Sequence, residues 1–394
     1  MTPAPSEGKR GRDSFPRSTS AGETSRDRSV SGGLEMSRVP FFVRMRDLLR
    51  ERWDLVTLAV LAVAPLVVPA LGGALGGQMT TLFIYCILAL GLNVMVGYTG
   101  LVHLGIAAFF GIGAYLMAIL TVPLYPFQIG FLAATIVSVL ATAGIGLALG
   151  APTLRLRGDY LAIVTLGFGE VVKVTLRNLE QITGGMKGLN PVPPPGAGVK
   201  IGGIDLGLAF AIDPRWFYYL ALLALAGVVV AMRRLEQSRL GRAWAAVRED
   251  ELAASAMGIS ATRVKLSAFA MSSAVAGLAG CLYAASLSTT ADPNAYDFNR
   301  SIMVLCAVIL GGLGSIPGTI LGVAILVGFD TVLAPWADSW IQQMNINPTG
   351  SSLLSFSGWR LAIFGLALVL VMRYRPEGLV PSRRLAAELH EDHA

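Results

Sequence analysis

The sequence predicts an all-α fold, a polytopic bundle of about 8–10 membrane segments, some of them broken or re-entrant, with a cytoplasmic coupling helix. Three observations carry that expectation. The 394 residues are 54% hydrophobic and 14% charged, against roughly 25% charged residues in soluble domains. Apolar runs of bilayer-spanning length recur along the chain. The basic residues are not spread over a surface but gathered in the tail and at the ends of those runs, which argues against nucleic acid as a partner despite a net charge of +6.

Residues 1–52 form a polar N-terminal tail expected to be disordered, with eleven Lys/Arg and no signal-peptide core in its first thirty residues. The apolar membrane region spans 53–380, and 381–394 form a short C-terminal tail expected to be cytoplasmic. Within it, crossings are expected at Asp54–Ala70, Gln78–Gly97, Leu101–Thr121, Gln128–Gly150, Asp159–Leu179, Pro214–Met232, Leu266–Leu287, Arg300–Gly314, Ser315–Ala334 and Trp359–Met372. Alternating these crossings puts 24 of the 31 Lys/Arg on one side. The positive-inside rule makes that side the cytoplasm, with both termini there.

The stretch 233–265 interrupts the apolar pattern. It holds seven Lys/Arg against Glu236, Glu249, Asp250 and Glu251, and reads as a helical cytoplasmic loop. Asp250 is placed to cap a short helix and Gly258 to end it. Leu240, Trp244 and Val247 recur on one face. Such a loop suits docking on a soluble protein, or lying on lipid head groups.

Glycines cluster at small-residue spacings in Leu101–Tyr115 and Gly311–Gly322. They permit close helix packing, or mark breaks beside a pathway. Their similar positions in the two halves hint at an internal repeat around the central loop. Polar residues inside apolar runs are the pathway candidates: Asn93, Thr99, His103, Asp159, Thr165, Phe168 and Glu170. Asn93 and Thr99 flank a helix break at Gly97. His103 reads as a hydrogen-bonded packing residue rather than a proton relay. Lys173 stands one turn beyond Glu170, so the two form either a structural ion pair or a substrate contact. Asp330 falls near the wetted outer half of its segment.

Several classes are excluded. Cys86, Cys281 and Cys306 lie in apolar runs without metal or redox spacing. There is no phosphate-binding GxxxxGK[ST] loop, no HExxH or GxSxG motif, and the longest outward loop, 180–213, is rich in Gly and Pro. An enzyme is not expected, nor a metal or cofactor bound by this chain.

Gly150–Leu189 (GAPTLRLRGDYLAIVTLGFGEVVKVTLRNLEQITGGMKGL) closely resembles the permeases of branched-chain amino acid ABC importers of the LivM type. Gly91–Tyr115, Gly311–Gly322 and Arg375–Leu379 are similar to the same family, and Gly241–Ile259 resembles the coupling loop of ABC importers. The chain departs from the pattern at His103, Ile106, Met186 and Lys187, where the family commonly has Ser, His, Pro and Asn. The resemblance implies ATP-driven import of leucine, isoleucine, valine or related neutral amino acids across the inner membrane. It implies a periplasmic or lipoprotein substrate-binding protein, a second LivH-type permease subunit, membrane lipids around both, and two cytoplasmic ABC ATPase subunits that use ATP and Mg. ATPase coupling would fall to Arg242, Trp244, Arg248, Glu249, Asp250, Glu251, Ala254, Met257 and Gly258. Two alternatives stay open: a permease of the same family for urea or short amides, and an ATP-independent secondary transporter.

Overall fold

A computed structural model describes residues 74–380 apart from 127, 154–158, 197–199, 202–203, 206, 208–209, 211–213, 291, 344–357 and 376–377. The expected crossing Asp54–Ala70, both tails, Arg155 and Arg157 lie outside the described residues.

The helix α1 (Ala74–Asn93) is apolar all round and is the most enclosed span, with Phe83–Leu90 buried without a gap. After it come α2 (Ile106–Thr121), α3 (Phe131–Thr153), α4 (Asp159–Asn178) and α5 (Pro214–Gln237). The polar stretch forms two helices, α6 (Arg239–Glu249) and α7 (Glu251–Ala256). Then follow α8 (Ala261–Leu287), α9 (Phe298–Gly311), α10 (Ile316–Gly328), α11 (Ala334–Gln343) and α12 (Arg360–Tyr374). A two-residue antiparallel ribbon, β1 (Lys200–Ile201) with β2 (Ile204–Asp205), lies in the loop between α4 and α5.

Among the described residues, five helices are long and apolar enough to span a membrane, and three more apolar helices are shorter. In addition α4, of 20 residues, carries Glu170, Lys173 and Arg177. At about 1.5 Å per residue, the 14 residues of α9 reach roughly 21 Å, short of the ~30 Å hydrocarbon core. Crossing Leu101–Thr121 begins as helix only at Ile106, after an irregular 99–105. The crossing expected at Ser315–Ala334 runs on through a π turn, Phe329–Leu333, into α11.

Small residues explain the packing of α8, which lies against α1, α2 and α3. A Cβ on Gly113 would strike the backbone of Gly277, and one on Gly280 would strike that of Phe110 and Ala114. Gly311 and Gly318 meet in the same way between α9 and α10. Without water to drive association, such backbone approach is what holds apolar helices together. The outward faces of α3 and α12 keep Leu132, Ile136, Leu140, Leu366 and Val369 exposed, as a lipid-facing side requires.

Two helix–break–helix units meet inside the bundle. The first is α1, its terminal π turn Val94–Tyr98, the irregular 99–105, and α2. The second is α9, the turn Gly312–Ser315, and α10. In that turn Gly312 (φ 121°) and Gly314 (φ 74°) adopt backbone angles that side chains disfavour. Ser315 Oγ then caps α10 by accepting from Gly318 N at 3.2 Å. The breaks are joined directly, because Gly314 N donates to Asn93 Oδ1 at 2.9 Å.

Candidate functional site

The hairpin of α6 and α7 is built from local capping. Ser238 Oγ accepts from Gly241 N and opens α6. Asp250 Oδ1 accepts from Leu252 N at 2.8 Å and Ala253 N at 3.0 Å and opens α7, and Gly258 (φ 84°) closes it. Glu251 Oε2 pairs with Lys265 Nζ at 2.6 Å, tying α7 to the start of α8.

The hairpin's inner face is anchored by Trp244, which is 1% exposed. Its Nε1–H donates to Val264 O at 3.2 Å and Ser267 Oγ at 3.0 Å. The indole stacks on Tyr98 in the π turn of α1, with ring centres 6.3 Å apart and planes 13° apart. One turn later, Arg248 Nη1 donates to Gly97 O at 2.6 Å. A π turn leaves backbone carbonyls without their ordinary helical donor, and Arg248 supplies one from 151 positions away in sequence.

The outer face differs. Arg242, Glu249, Asp250 and Gly258 are exposed. Arg242 Nη1 donates to Gln237 O at 2.9 Å, closing the end of α5. Leu252 in α7 and Met257 at its C-cap are 80% and 83% exposed, an apolar pair beside the charged Glu249, Asp250 and Glu251. Trp244 and Ala254, grouped by sequence with the partner-facing residues, point into this chain instead and are closed to any partner. Leu240, expected on the apolar face with Trp244, is 46% exposed. Leu252 was missed by sequence reasoning, since a leucine in a short amphipathic helix reads as a core residue.

Pathway candidates are gathered on either side of the breaks. Asn93 is 1% exposed and spent on Gly314. Thr99 Oγ1 donates to Met95 O at 2.6 Å. Thr165, fully buried, accepts from Leu104 N at 3.1 Å and donates to Ala162 O at 3.0 Å, so it fastens α4 to the irregular 99–105. Phe168 packs on Phe109, ring centres 5.4 Å apart. His103 is a buried packing residue between Phe109 and Phe269. It differs from the sequence expectation in one respect: its Nδ1 has no hydrogen-bond partner among the described residues. Asp159 opens α4, and its side chain lies outside what is described.

Glu170 and Lys173 form an ion pair at 2.6 Å. Glu170 also lines a narrow crevice with Leu104, Ala107, Tyr296, Asp297 and Ser301, and Ser301 Oγ accepts from Ala107 N at 3.2 Å. In the turn before α9, the buried Tyr296 phenol donates to Thr290 O. Ser301, Tyr296 and Arg300, which sits 5.3 Å over the Tyr85 ring, were not singled out by the sequence.

Residues 74–372 match the family model described as "Branched-chain amino acid transport system / permease component". The chain belongs to this family. It is similar to the high-affinity branched-chain amino acid transport system permease protein LivM of Salmonella typhimurium, 37% identical over 359 residues, 88% of this chain and 78% of the relative. To LivM of Escherichia coli it is 38% identical over 350 residues, covering 85% and 76%. It also resembles an autoinducer 2 import system permease protein, LsrC of Yersinia pseudotuberculosis, at 28% identity over 131 residues, 32% of this chain and 36% of that one. No solved structure matches. The chain is thus a membrane permease subunit and not an enzyme.

The geometry gives the permease two ends. One carries the hairpin, Gly97–Gly100, Gly311–Ser315 and the segment Gly378–Val380, whose Leu379 N and Val380 N donate to Leu310 O and Gly311 O. The other carries the segment 179–196 and the turn after α8, linked where Leu189 N donates to Thr290 Oγ1 and Val192 N to Ser288 O.

Proposed function

We propose that this permease carries branched-chain amino acids inward across the inner membrane as one subunit of an ATP-driven importer. The reading is supported by the substrates named for the two LivM relatives, and by one observation above all. The charged hairpin is tied by Arg248 to Gly97, and Gly97 is packed on Asn93 and Gly314. A protein gripping the hairpin thereby acts on both helix breaks at once.

In this reading the hairpin faces the cytoplasm, with both chain termini on that side. Two ATPase subunits, which bind ATP and Mg, power the importer, and one of them docks on the hairpin's outer face through Arg242, Glu249, Asp250, Glu251 and Met257, with Leu252 added. Trp244, Ala254 and Gly258 hold the hairpin's shape, and Arg248 passes its movement on. Closure of the ATPases moves the hairpin as a rigid body. A second LivH-type permease subunit completes the pathway, lipids surround both, and an extracytoplasmic binding protein delivers the amino acid to the opposite end. Asn93, Thr99, His103, Thr165, Phe168 and Glu170 then act by shaping the breaks beside the pathway, with Asp159 at the start of α4.

The test is uptake by the complete complex in proteoliposomes. Radiolabelled leucine should accumulate only with ATP and binding protein, and unlabelled isoleucine or valine should compete. Competition by urea and not by valine would favour a permease for urea or short amides, and uptake by this chain alone would favour a secondary transporter. A cysteine at Ser255 should react with an impermeant thiol reagent only from the cytoplasmic side; labelling from outside alone would overturn the orientation.

A further inference from the structure

Helix α4 turns one face outward that the described chain does not cover. Tyr160, Ile163, Val171 and Val174 stand on it at helical spacing, all exposed, with Gly167 at its centre. A Cβ on Gly167 would meet nothing within 4 Å, so the middle of the face is open. One edge of the same face carries the ion pair of Glu170 with Lys173 at 2.6 Å, in which the Glu170 side chain is 41% exposed. Arg177 follows Lys173 on that edge one turn later.

Depth decides what can cover such a face. At about 1.5 Å per residue, α4 is roughly 30 Å long, with Glu170 about 16 Å from its start and about 12 Å from its end. A carboxylate so exposed near mid-span is unsuited to hydrocarbon, even with a lysine beside it. The apolar residues on the rest of the face are equally unsuited to open water. Other outward faces are different. Helix α3 has no charged residue, and α5 and α12 keep theirs at their ends.

A face part apolar and part charged at this depth calls for another protein. Among the components of the proposed importer, the ATPases and the binding protein lie outside the bilayer, and the second permease subunit lies within it. We infer that the outward face of α4 is the seam against that second permease subunit, one of whose helices seats over Gly167 between Ile163 and Val171. Glycine lets a neighbouring backbone approach closely where no water drives association. The Glu170 edge borders the crevice lined by Leu104, Ala107, Asp297 and Ser301, so the seam runs beside the irregular 99–105. The inference rests on the reading proposed above, and adds which face of this chain makes the joint.

The experiment uses the complete complex in membranes, with the photo-reactive amino acid p-benzoylphenylalanine placed in this chain at Ile163 or Val171. Control positions are Leu140 on α3 and Leu366 on α12, which are also exposed. Illumination should join this chain to the second permease subunit from both α4 positions and from neither control. Gly167→Trp adds bulk where this chain offers no obstacle. It should leave membrane insertion unchanged and cut recovery of the second permease subunit about tenfold or more, as expected for an overpacked contact. Gly144→Trp, at an equally open glycine on α3, should not.

Adducts from α4 with lipid alone or with a second copy of this chain overturn the seam. So does full recovery of the second subunit with Gly167→Trp, or its capture from Leu140 and Leu366 as readily as from α4. Each of these leaves the proposed function standing. Leucine uptake by a wild-type complex that contains no second permease subunit overturns that part of the proposed function and this inference with it.

Discussion

Arg248 reaches from the polar hairpin to the last turn of α1 and donates to the carbonyl of Gly97 at 2.6 Å. The same turn stacks its Tyr98 on Trp244 and packs Gly97 against Asn93 and Gly314. One guanidinium thus connects a surface element to the junction of two broken helices. Gly100, at φ 68°, leaves the room that the Arg248 side chain occupies.

Replacing Arg248 by Ala should uncouple the machine rather than dismantle it. A charged hydrogen bond contributes about 1.5–3 kcal/mol, enough to alter an equilibrium roughly tenfold to a hundredfold. The expected outcome is a complex that still assembles and hydrolyses ATP while uptake falls at least about tenfold. Lys at this position should restore part of the uptake, because it keeps a donor but not the planar fork. Parallel loss of ATPase binding and uptake would instead place Arg248 in the docking face.

Docking itself is expected to depend on the outer face of α7. Leu252 and Met257 are the two most exposed large apolar residues of the described chain, and an exposed apolar pair beside charges is a common interface signature. Leu252→Asp with Met257→Asp should leave membrane insertion and thermal stability unchanged, since neither side chain is packed. Co-purification of ATPase subunits should drop sharply. Undiminished recovery of the ATPases would show that they grip elsewhere.

Much of this architecture was legible in the residues. Asp250 and Gly258 mark the ends of α7 because capping is local chemistry, and Glu170 with Lys173 is a one-turn neighbour pair. The links that give the hairpin its reach were not legible. Arg248 to Gly97 spans 151 positions and Asn93 to Gly314 spans 221; both close only when distant helices pack. Periodicity placed Trp244 on an apolar face without saying whether that face belonged to this chain or to a partner. The π turn at Val94–Tyr98 left a hint in Gly97, but a glycine among apolar residues reads equally as a packing site.

The shape of the hairpin gives a further separation. Gly258 holds φ 84°, whereas proline fixes φ near −65°, so Gly258→Pro should displace the start of α8 and abolish uptake. Glu251→Lys breaks a pair in which Glu251 is half-exposed but the Lys265 side chain is only 12% exposed, and it sets two cations side by side. It should lower the melting temperature while the protein still inserts, and stop uptake by reversing charge on the docking face. Normal uptake by both variants, with both present in the membrane at wild-type levels, would remove the hairpin from the mechanism.

Trp244 should behave as an internal anchor, and its two substitutions separate packing from hydrogen bonding. Trp244→Phe keeps an aromatic ring against Tyr98 and loses the Nε1–H that serves Val264 O and Ser267 Oγ. The expected cost is about 1 kcal/mol, read as a small fall in the unfolding temperature of the purified complex, with uptake largely retained. Trp244→Ala also empties a fully buried site and should cost about 3–5 kcal/mol, releasing α6 from α8. Because the indole is closed to any partner, ATPase binding by Trp244→Phe should match the wild type. A selective loss of that binding in the Phe variant, with stability intact, would mean that the ring is exposed in the assembled transporter and that the hairpin opens when it docks.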